Sequence, residues 1–279
     1  MSLQVELGFM PQNNIEECEL TDIIKELSGD TMLLVSDQKQ TDNPPHRARL
    51  TERLDRKKGR GDSMCGVWFA DVKIDATDGT TLAMQPIAIK PLSEAWLAAR
   101  EFRTAKRLNR DAQRTFRSLG FLSMGGQIAT VTEFEEGVTS FDNILWRRHQ
   151  LQEKEIHWAL GCAAAGLISL HSEGYTHGDY QVKNTAYSST LQPRIIDITD
   201  VRKRADPFEF GDDLTLYIES LSIFGRRPSK VSSQQVKESF LDPYHQVIHD
   251  IFPKSKQQSM REILTHLAVN ADKIMQGEY

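Results

Sequence analysis

The sequence predicts an α+β fold with a β-rich N-terminal lobe and a helical C-terminal lobe. Runs rich in β-branched and aromatic residues are concentrated before residue 135, and apolar residues at helical spacing dominate after it. A length of 279 residues allows one large domain or two lobes that each bury a core. We therefore predict lobes at 1–134 and 135–279.

Four segments of the N-terminal half predict β-strands. They lie at 31–35 (TMLLV), 65–74 (CGVWFADVKI), 81–90 (TLAMQPIAIK) and 126–134 (GQIATVTEF). Asp78-Gly79 is typical of the turn of a hairpin between the second and third strands. Pro86 has no N–H to donate, so it predicts a bulge or an edge position in the third strand. A helix is expected over 94–108, where apolar residues recur on one face.

Helical patterns follow Gly137. Ser140 can cap a first helix, and a longer one is predicted over 152–172, with Gly174 just past its end. Three further helices are expected at 212–224, 233–252 and 258–276. The joint between the two predicted lobes falls near Glu135–Thr139.

Residues 37–63 interrupt the strand pattern of the N-terminal lobe. Pro44-Pro45 and the lack of apolar periodicity predict a mobile loop. Its part 46–60 carries seven basic and two acidic residues, whereas residues 1–30 carry seven acidic residues and one lysine. The loop is either a solvated segment or a basic surface for phosphate or an acidic partner. The acidic N-terminus and the basic stretch 46–60 are thus the two surfaces on which a protein partner could bind.

Composition and charge exclude several classes of protein. A net charge of −5 gives no general affinity for nucleic acid, so no nucleic-acid partner is expected. No apolar run approaches the roughly 18–20 residues that cross a bilayer, and no secretion signal is evident, so no membrane association is expected. The three cysteines are too scattered for a disulfide framework, and Cys162 reads as a small core thiol. These features predict a reducing, cytoplasmic setting.

Residues 170–200 carry the strongest chemical signal. The tripeptide His177-Gly178-Asp179 precedes Asn184 by five residues, and Asp197 follows thirteen residues later, after two isoleucines. Metal-assisted phosphoryl transfer needs such a set, because one carboxylate accepts the proton of the attacking hydroxyl. The amide and the second carboxylate supply the hard oxygen ligands that Mg²⁺ prefers.

The pattern H-G-D-x-x-x-x-N followed by I-I-D resembles the catalytic and metal-binding loops of the protein-kinase-like superfamily. With the lead-in L-H-x-x-G at 170–174, it is most similar to the atypical HGD-type branch: aminoglycoside phosphotransferases, other small-molecule kinases and RIO-like kinases. The resemblance implies that Asp179 is the catalytic base and that Lys183 lies near the transferring phosphate. It also implies Asn184 and Asp197 as metal ligands, within a two-lobed protein-kinase-like fold.

Upstream segments resemble the nucleotide-binding elements of the same superfamily. IAIK at 87–90 resembles the strand whose lysine holds the α- and β-phosphates, which implies this role for Lys90. Glu101 on the following helix is then the implied ion-pair partner of Lys90, with Glu94 as the alternative. TVTEFEEG resembles the hinge, and the residues implied to contact an adenine edge are Glu133, Phe134 and Glu135. In the helix at 210–221, the aspartate implied to brace the catalytic loop is Asp213 rather than Asp212.

The chain also departs from the superfamily pattern. No G-x-G-x-x-G precedes the strands, and the nearest glycines are Gly59, Gly61 and Gly66. The long basic segment 37–66 is therefore our hypothesis for the element that covers the phosphates. Thr199 stands where D-F-G has its glycine, and no A-P-E motif follows. Only sixteen residues separate Asp197 from Asp213, which leaves little room for a peptide-docking activation segment.

The resemblance therefore implies a transferase: an ATP-binding, magnesium-dependent, kinase-like phosphotransferase that acts on a hydroxyl of a small-molecule acceptor. Two alternatives stay open, an atypical serine/threonine protein kinase and a non-catalytic, pseudokinase-type nucleotide-binding module. His245 and His249 have i, i+4 spacing but no third ligand, so they read as surface histidines.

Overall fold

The computed structural model describes most of the chain in two compact units, Met1–Glu135 and Glu136–Tyr279. The described residues are 2–11, 16–36, 46–52, 67–75, 81–110, 115–135, 138–142, 145, 152–187, 193–203, 206–222 and 230–278. Within these ranges, no helix is both long and apolar enough to cross a membrane.

The N-terminal unit contains a closed barrel of seven strands. The strands are β1 (Ser2–Pro11), β2 (Thr31–Ser36), β3 (His46–Glu52), β4 (Trp68–Asp75), β5 (Thr81–Leu92), β6 (Ser118–Met124) and β7 (Gln127–Glu133). Their order around the barrel is β1-β2-β6-β7-β5-β4-β3, and pairing of β1 with β3 closes it. β1 and β2 are parallel, and helix α1 (Glu17–Glu26) connects them. The other pairings are antiparallel.

Alternating side chains fill the barrel from every strand. Val5, Met32, Leu50, Val72, Ile87 and Val131 are members of this buried inner cluster. A second apolar cluster lies outside the barrel, where α1 and helix α2 (Ala95–Leu108) cover part of its wall. The alternation of β5 therefore fixes two faces: Ile87 and Ile89 point into the barrel, whereas Lys90 points outward.

The C-terminal unit is built mainly from helices. The longer ones are α3 (Glu153–Ser172), α4 (Pro207–Ser220) and α8 (Lys254–Gln276), and α4 packs against α8. Between α4 and α8 lie α5 (Ser233–Val236), a π-helical turn (Lys237–Leu241), α6 (Asp242–Gln246) and α7 (Ile248–Ile251). The π-helical turn divides the single helix predicted over 233–252.

Short strands of the C-terminal unit connect its helices. β8 (Thr139–Ser140), β10 (Thr185–Tyr187) and β11 (Pro193–Ile195) form one sheet, and β9 (Tyr175–Thr176) pairs with β12 (Arg202–Lys203). Ser140, the predicted helix cap, is the last residue of β8. Two 3₁₀ turns, Val182–Asn184 and Ile198–Asp200, lie in the same region.

The predicted fold class, α+β with a two-lobed protein-kinase-like organisation, is wrong. The described residues form a closed seven-stranded barrel together with helices, and short strands interrupt the helical second unit. The sequence patterns found β2, β4, β5 and β7 but missed β1, β3 and β6. The missing strands are those that complete the circle, because β1 pairs with both β2 and β3, and β6 joins β2 to β7.

One local prediction in this unit also requires correction, and another agrees with the strand pairing. The segment 37–63 was expected to be a mobile loop, but its residues His46–Glu52 form β3, a full barrel strand. The remaining parts, 37–45 and 53–63, lie outside the described residues. Pro86 pairs with Asp71 on β4, but the β5–β7 pairing begins only at Ile87, so Pro86 lies just beyond the end of that ladder, in agreement with the predicted edge position. The irregular register between β4 and β5 occurs at Ile74 and Asp75.

We expect Gly120→Ala to destabilise the barrel strongly. Gly120 has φ +154°, and a Cβ at this position would lie 1.9 Å from the carbonyl oxygen of Leu33 on β2. Relieving this overlap must separate β2 from β6, at a cost of about 2 kcal/mol or more in the free energy of unfolding. Urea unfolding followed by circular dichroism measures the change. Gly125→Ala is the control, because its Cβ would meet nothing within 4 Å and only its positive φ is strained; an equal loss in both variants would contradict the steric explanation.

Candidate functional site

The predicted catalytic loop lies between the end of α3 and strand β10. Gly174 ends the helix with φ +77°, and β9 leads into the tripeptide that ends at Asp179. Gly178 also has a positive φ, +80°, and a Cβ there would lie 3.1 Å from the carbonyl oxygen of Asp200. The glycine therefore allows the backbone of the turn Ile198–Asp200 to approach the catalytic loop closely.

Asp179 is held by its own loop. The Asn184 amide nitrogen Nδ2 donates to the Asp179 carboxylate oxygen Oδ2 at 2.9 Å and to its backbone carbonyl at 2.8 Å. Gln181 Nε2 donates to the other carboxylate oxygen, Oδ1. Lys183 Nζ lies 3.9 Å from Oδ2. The carboxylate thus has a defined orientation, with a cation nearby.

Strand pairing brings Asn184 next to the segment that contains Asp197. The N–H of Ile196 donates to the carbonyl of Asn184 at 2.9 Å, which continues the ladder formed by β10 and β11. Asp197 comes next, exposed and in the left-handed region with φ 54° and ψ 60°. Among the described residues it is the one non-glycine with positive φ. Thr199 Oγ1 donates to its carboxylate oxygen Oδ1 at 3.3 Å.

His177 connects these two segments. Its Nδ1 accepts a hydrogen bond from the N–H of Asp179 at 3.3 Å, and its Nε2 lies 3.2 Å from the carbonyl of Ile196. An acceptor at Nδ1 and a donor at Nε2 define one neutral tautomer. Complete burial lowers the pKa of His177, in agreement with a neutral ring. The ring therefore acts as a structural link rather than as a proton carrier at neutral pH.

Asp213 on α4 braces the loop, as the sequence predicted, and Asp212 does not. The N–H groups of His177 and Gly178 donate to its two carboxylate oxygens at 2.7 and 2.8 Å. The ring of His171 makes a third contact, with Nε2 3.0 Å from Oδ2. Asp213 is buried, whereas Asp212 is exposed. Three donors thus compensate the buried charge of Asp213.

In the N-terminal unit, Lys90 forms the predicted ion pair with Glu101. Lys90 Nζ lies 2.7 Å from the Glu101 carboxylate oxygen Oε2, and Thr130 Oγ1 donates to the other oxygen, Oε1, at 2.9 Å. Glu101 is 6% exposed, and the side chain of Lys90 is 22% exposed. Glu94, the alternative partner, is exposed at the N-cap of α2. The sequence-predicted role of Lys90 in phosphate binding stays a prediction.

The three residues predicted to contact an adenine edge lie at the C-terminal end of β7, where Glu133 is the last residue of the strand. The N–H of Glu133 donates to the carbonyl of Arg117 at 2.8 Å, and that of Phe134 donates to the carbonyl of Pro86 at 3.1 Å. The ring of Phe134 is buried against Phe69. The N–H groups of Glu133 and Phe134 therefore already donate hydrogen bonds within the chain. Fewer backbone N–H groups in this segment are left to donate to an adenine ring.

A cavity of about 400 Å³ opens beside Gly178 in the C-terminal unit. Four carboxylates contribute to its lining, from Glu209, Asp212, Asp213 and Glu219. Partial desolvation on the rim of the cavity, together with the neighbouring charges of Asp213 and Glu209, raises the pKa of Asp212, and partial burial raises the pKa of Glu219. Both carboxyl groups are thus protonated more readily than fully solvated ones.

The side-chain oxygens of Asn184 and Asp197 are suitable ligands for Mg²⁺. Because Nδ2 of Asn184 donates to Asp179, its amide oxygen is the atom left for another partner. An amide oxygen and a carboxylate are hard ligands, and Mg²⁺ usually takes one or two from protein and the rest from water and phosphate. Within the described residues no group of three or more His, Cys, Asp or Glu side chains forms a metal site by itself. A metal bound by Asn184 and Asp197 would take its remaining ligands from water and phosphate.

Other candidate residues have structural roles or lie outside the described residues. His249 contacts Gln257 and Arg261, at 3.0 and 3.2 Å, in agreement with the surface role expected of it. Burial raises the pKa of Cys162 to about 11, so its thiol stays protonated at neutral pH. The predicted phosphate-covering segment was 37–66; its residues His46–Glu52 form barrel strand β3, and 37–45 and 53–66 lie outside the described residues.

The sequence patterns missed the role of Tyr244. It hydrogen-bonds Nδ1 of His171 although the two residues are 73 positions apart. The motif L-H-x-x-G at 170–174 singled out His171. No sequence pattern indicated that the ring of His171 contacts Tyr244 as well as Asp213.

Comparison with known proteins does not assign the chain to a family. No family model matches it, and no curated protein matches it significantly. The functional argument therefore depends on the local geometry of the catalytic loop and its neighbours.

We expect Asp213→Asn to lower the free energy of unfolding by about 2–4 kcal/mol, because one amide group cannot accept from all three donors. Asp212→Asn is the matched control on the same helix. Since the folded state disfavours the ionised form of Asp212, its neutral amide should leave stability unchanged or slightly higher. Chemical unfolding of both variants at pH 7 tests this difference, and comparable losses would contradict a bracing role for Asp213.

Proposed function

We propose that the protein is a magnesium-dependent phosphotransferase that uses ATP to phosphorylate a hydroxyl group on a small-molecule acceptor. The observation that carries the proposal is the arrangement of Asp179, Asn184 and the segment of Asp197 around one short strand pair. Chemistry of this kind depends on positioning and charge neutralisation, which such a rigid set of oxygen groups can supply.

Asp179 is the proposed base. Gln181 and Asn184 orient its carboxylate, so one oxygen can face the acceptor hydroxyl and accept its proton as phosphoryl transfer proceeds. Lys183, 3.9 Å from Oδ2, places positive charge close to where the phosphoryl group would be transferred. This charge would offset the negative charge that develops on the transferring group.

Asn184 and Asp197 are the proposed magnesium ligands. The ion would neutralise charge on the nucleotide phosphates. The amide of Asn184 is fixed by its bonds to Asp179, which supports a role in presenting its oxygen to a metal. Asp197 adopts a left-handed conformation, and such a backbone is a recurrent feature of functional sites.

Lys90 is the proposed ligand of the α- and β-phosphates. Its ion pair with buried Glu101, which Thr130 also contacts, supports this role because it restrains a flexible side chain before a ligand binds. The hinge residues 133–135 remain the proposed contact for the adenine ring. A reducing, cytoplasmic setting belongs to the same proposal and is supported by the two free cysteines among the described residues.

The segment after Asp197 supports a small acceptor over a protein substrate. It forms a 3₁₀ turn, and β12 then returns to pair with β9 just before the catalytic loop. Helix α4 begins at Pro207, ten positions after Asp197. A segment this short offers no extended platform for a peptide. The nearby cavity is of a size suited to a small molecule.

Asp179→Asn should slow transfer strongly while nucleotide binding survives. The wild-type protein, incubated with γ-labelled ATP, Mg²⁺ and a metabolite extract, should yield a labelled product, and chelation of Mg²⁺ should prevent its formation. We expect the variant to lose about 10²–10⁴-fold in rate, the usual contribution of a general base. ATP-induced thermal stabilisation of the variant checks that its nucleotide site is intact. Stabilisation by ATP without turnover in the wild-type protein would instead favour a non-catalytic module.

Lys90→Ala should act on nucleotide binding. Loss of one charged contact to phosphate should raise the ATP KM about tenfold, equivalent to roughly 1.4 kcal/mol. Lys25→Ala is the matched control, because Lys25 also pairs with a carboxylate in this unit but is exposed, 3.2 Å from Asp22. An unchanged ATP KM in Lys90→Ala would remove Lys90 from the proposed site.

A further inference from the structure

A buried series of hydrogen bonds reaches the catalytic loop from helix α6. The Tyr244 hydroxyl contacts His171 Nδ1, and His171 Nε2 contacts Asp213. Asp213 in turn accepts from the N–H groups of His177 and Gly178, the two residues before Asp179. All three side chains of the series, from Tyr244 to Asp213, are at most 1% exposed. Tyr244 is thereby connected to the catalytic loop without touching it.

The chemistry of the partners fixes the direction of each bond. A carboxylate only accepts, so His171 Nε2 carries the hydrogen that faces Asp213. Burial lowers the pKa of His171, which leaves the ring neutral and Nδ1 without a hydrogen. The hydroxyl of Tyr244 must then donate to Nδ1. Every polar atom of the His171 ring is satisfied in this arrangement, and removal of the hydroxyl leaves a buried acceptor without its donor.

Packing alone does not orient the His171 ring. Phe210 stacks on it with ring centroids 4.0 Å apart and planes 16° from parallel. This contact fixes the plane, but a half-turn of the ring about Cβ–Cγ preserves the plane while exchanging nitrogen and carbon positions. The polar contacts to Asp213 and Tyr244 are the ones that distinguish the two orientations.

The π-helical turn before α6 sets the position of Tyr244. Ser239 in this turn contacts His157 on α3 at 2.6 Å, and Phe240 stacks on Tyr217 of α4 with centroids 4.5 Å apart. A π-turn adds one residue to the helical repeat and so rotates the side chains of the next turn about the helix axis. Anchored on α3 and α4, the turn directs α6 so that the Tyr244 hydroxyl meets His171.

We propose that Tyr244 is a positioning residue of the transfer reaction, which acts by holding His171 in the orientation that supports Asp213 and, through it, the backbone before Asp179. The kinetic part of this inference rests on the proposed phosphotransferase function. Tyr244 touches neither nucleotide nor acceptor in this scheme. Its loss should therefore affect the chemical step and leave substrate binding unchanged.

Tyr244→Phe should lower kcat about tenfold and change the ATP KM less than about twofold. A tenfold change lies within the range of coupling energies measured between residues of one hydrogen-bond network. The matched control is Tyr187→Phe. Tyr187 is also buried and donates one hydrogen bond to α3, to the carbonyl of Ala159 at 2.8 Å. Loss of this hydrogen bond should lower the free energy of unfolding about as much as Tyr244→Phe does, but it should leave kcat unchanged. An unchanged kcat in Tyr244→Phe, or equal reductions in the two variants, overturns the proposal.

A double variant tests the route through His171. In a His171→Gln background the ring is absent, so adding Tyr244→Phe should change kcat less than about twofold further. A full additional tenfold loss would show that Tyr244 acts by another path and would overturn the assigned role.

Nuclear magnetic resonance separates this inference from the proposed function. In protein labelled with ¹⁵N, Tyr244→Phe should shift the His171 Nδ1 signal towards that of a ring nitrogen without a hydrogen bond. It should also move the Gly178 amide signal, and Tyr187→Phe should do neither. If the wild-type protein transfers no phosphate, the proposed function fails, and these signals still decide the positioning role. An unmoved Gly178 amide signal overturns it.

Discussion

The C-terminal unit depends most on the interactions of the buried Asp213 carboxylate. A charge this deeply buried is costly unless donors surround it, and three donors do so here: the N–H groups of His177 and Gly178, and the His171 ring. Satisfying Asp213 therefore fixes the backbone of the loop immediately before Asp179. The same requirement ties together α3, α4 and the loop, because each contributes one side of this cluster.

A comparable constraint operates on the barrel. The alternation of β5 that buries Ile87 and Ile89 sends Lys90 to the outer wall, opposite Thr130 on β7. Glu101 on α2 satisfies both of these side chains. A lysine beneath a helix would be costly to desolvate without such a partner. The ion pair is thus a consequence of packing α2 on the barrel, whatever ligand Lys90 contacts.

The sequence predicted those parts of the molecule whose signals are local. Helices α2 and α3 and strands β2, β4, β5 and β7 were found from periodicity, and the contacts of Asp213 and Glu101 from short motifs. Strand β3 was missed because only Ala48 and Leu50 mark its inward face, while arginines occupy the alternating positions 47 and 49. Closure of the barrel was missed for another reason: it requires β1 to pair with β3, about forty residues away, and no local pattern encodes a register between distant segments. Tyr244 was missed likewise, since its partner His171 lies on another helix.

The segments of the C-terminal unit that contain Asp179 and Asp197, the proposed base and a proposed metal ligand, share one rigid frame. His177 bonds to the carbonyl of Ile196, and the absent side chain of Gly178 lets the backbone of Asp200 approach. A larger residue in place of Gly178 would have to separate these two segments. Asp197 lies between those two contacts, so its left-handed backbone is held from both sides. Functional groups fixed in this way need little reorganisation when a substrate binds, and preorganisation of this kind is the main means by which phosphoryl transfer is accelerated. The local geometry can therefore support such chemistry although the surrounding fold differs from the one that the motifs implied.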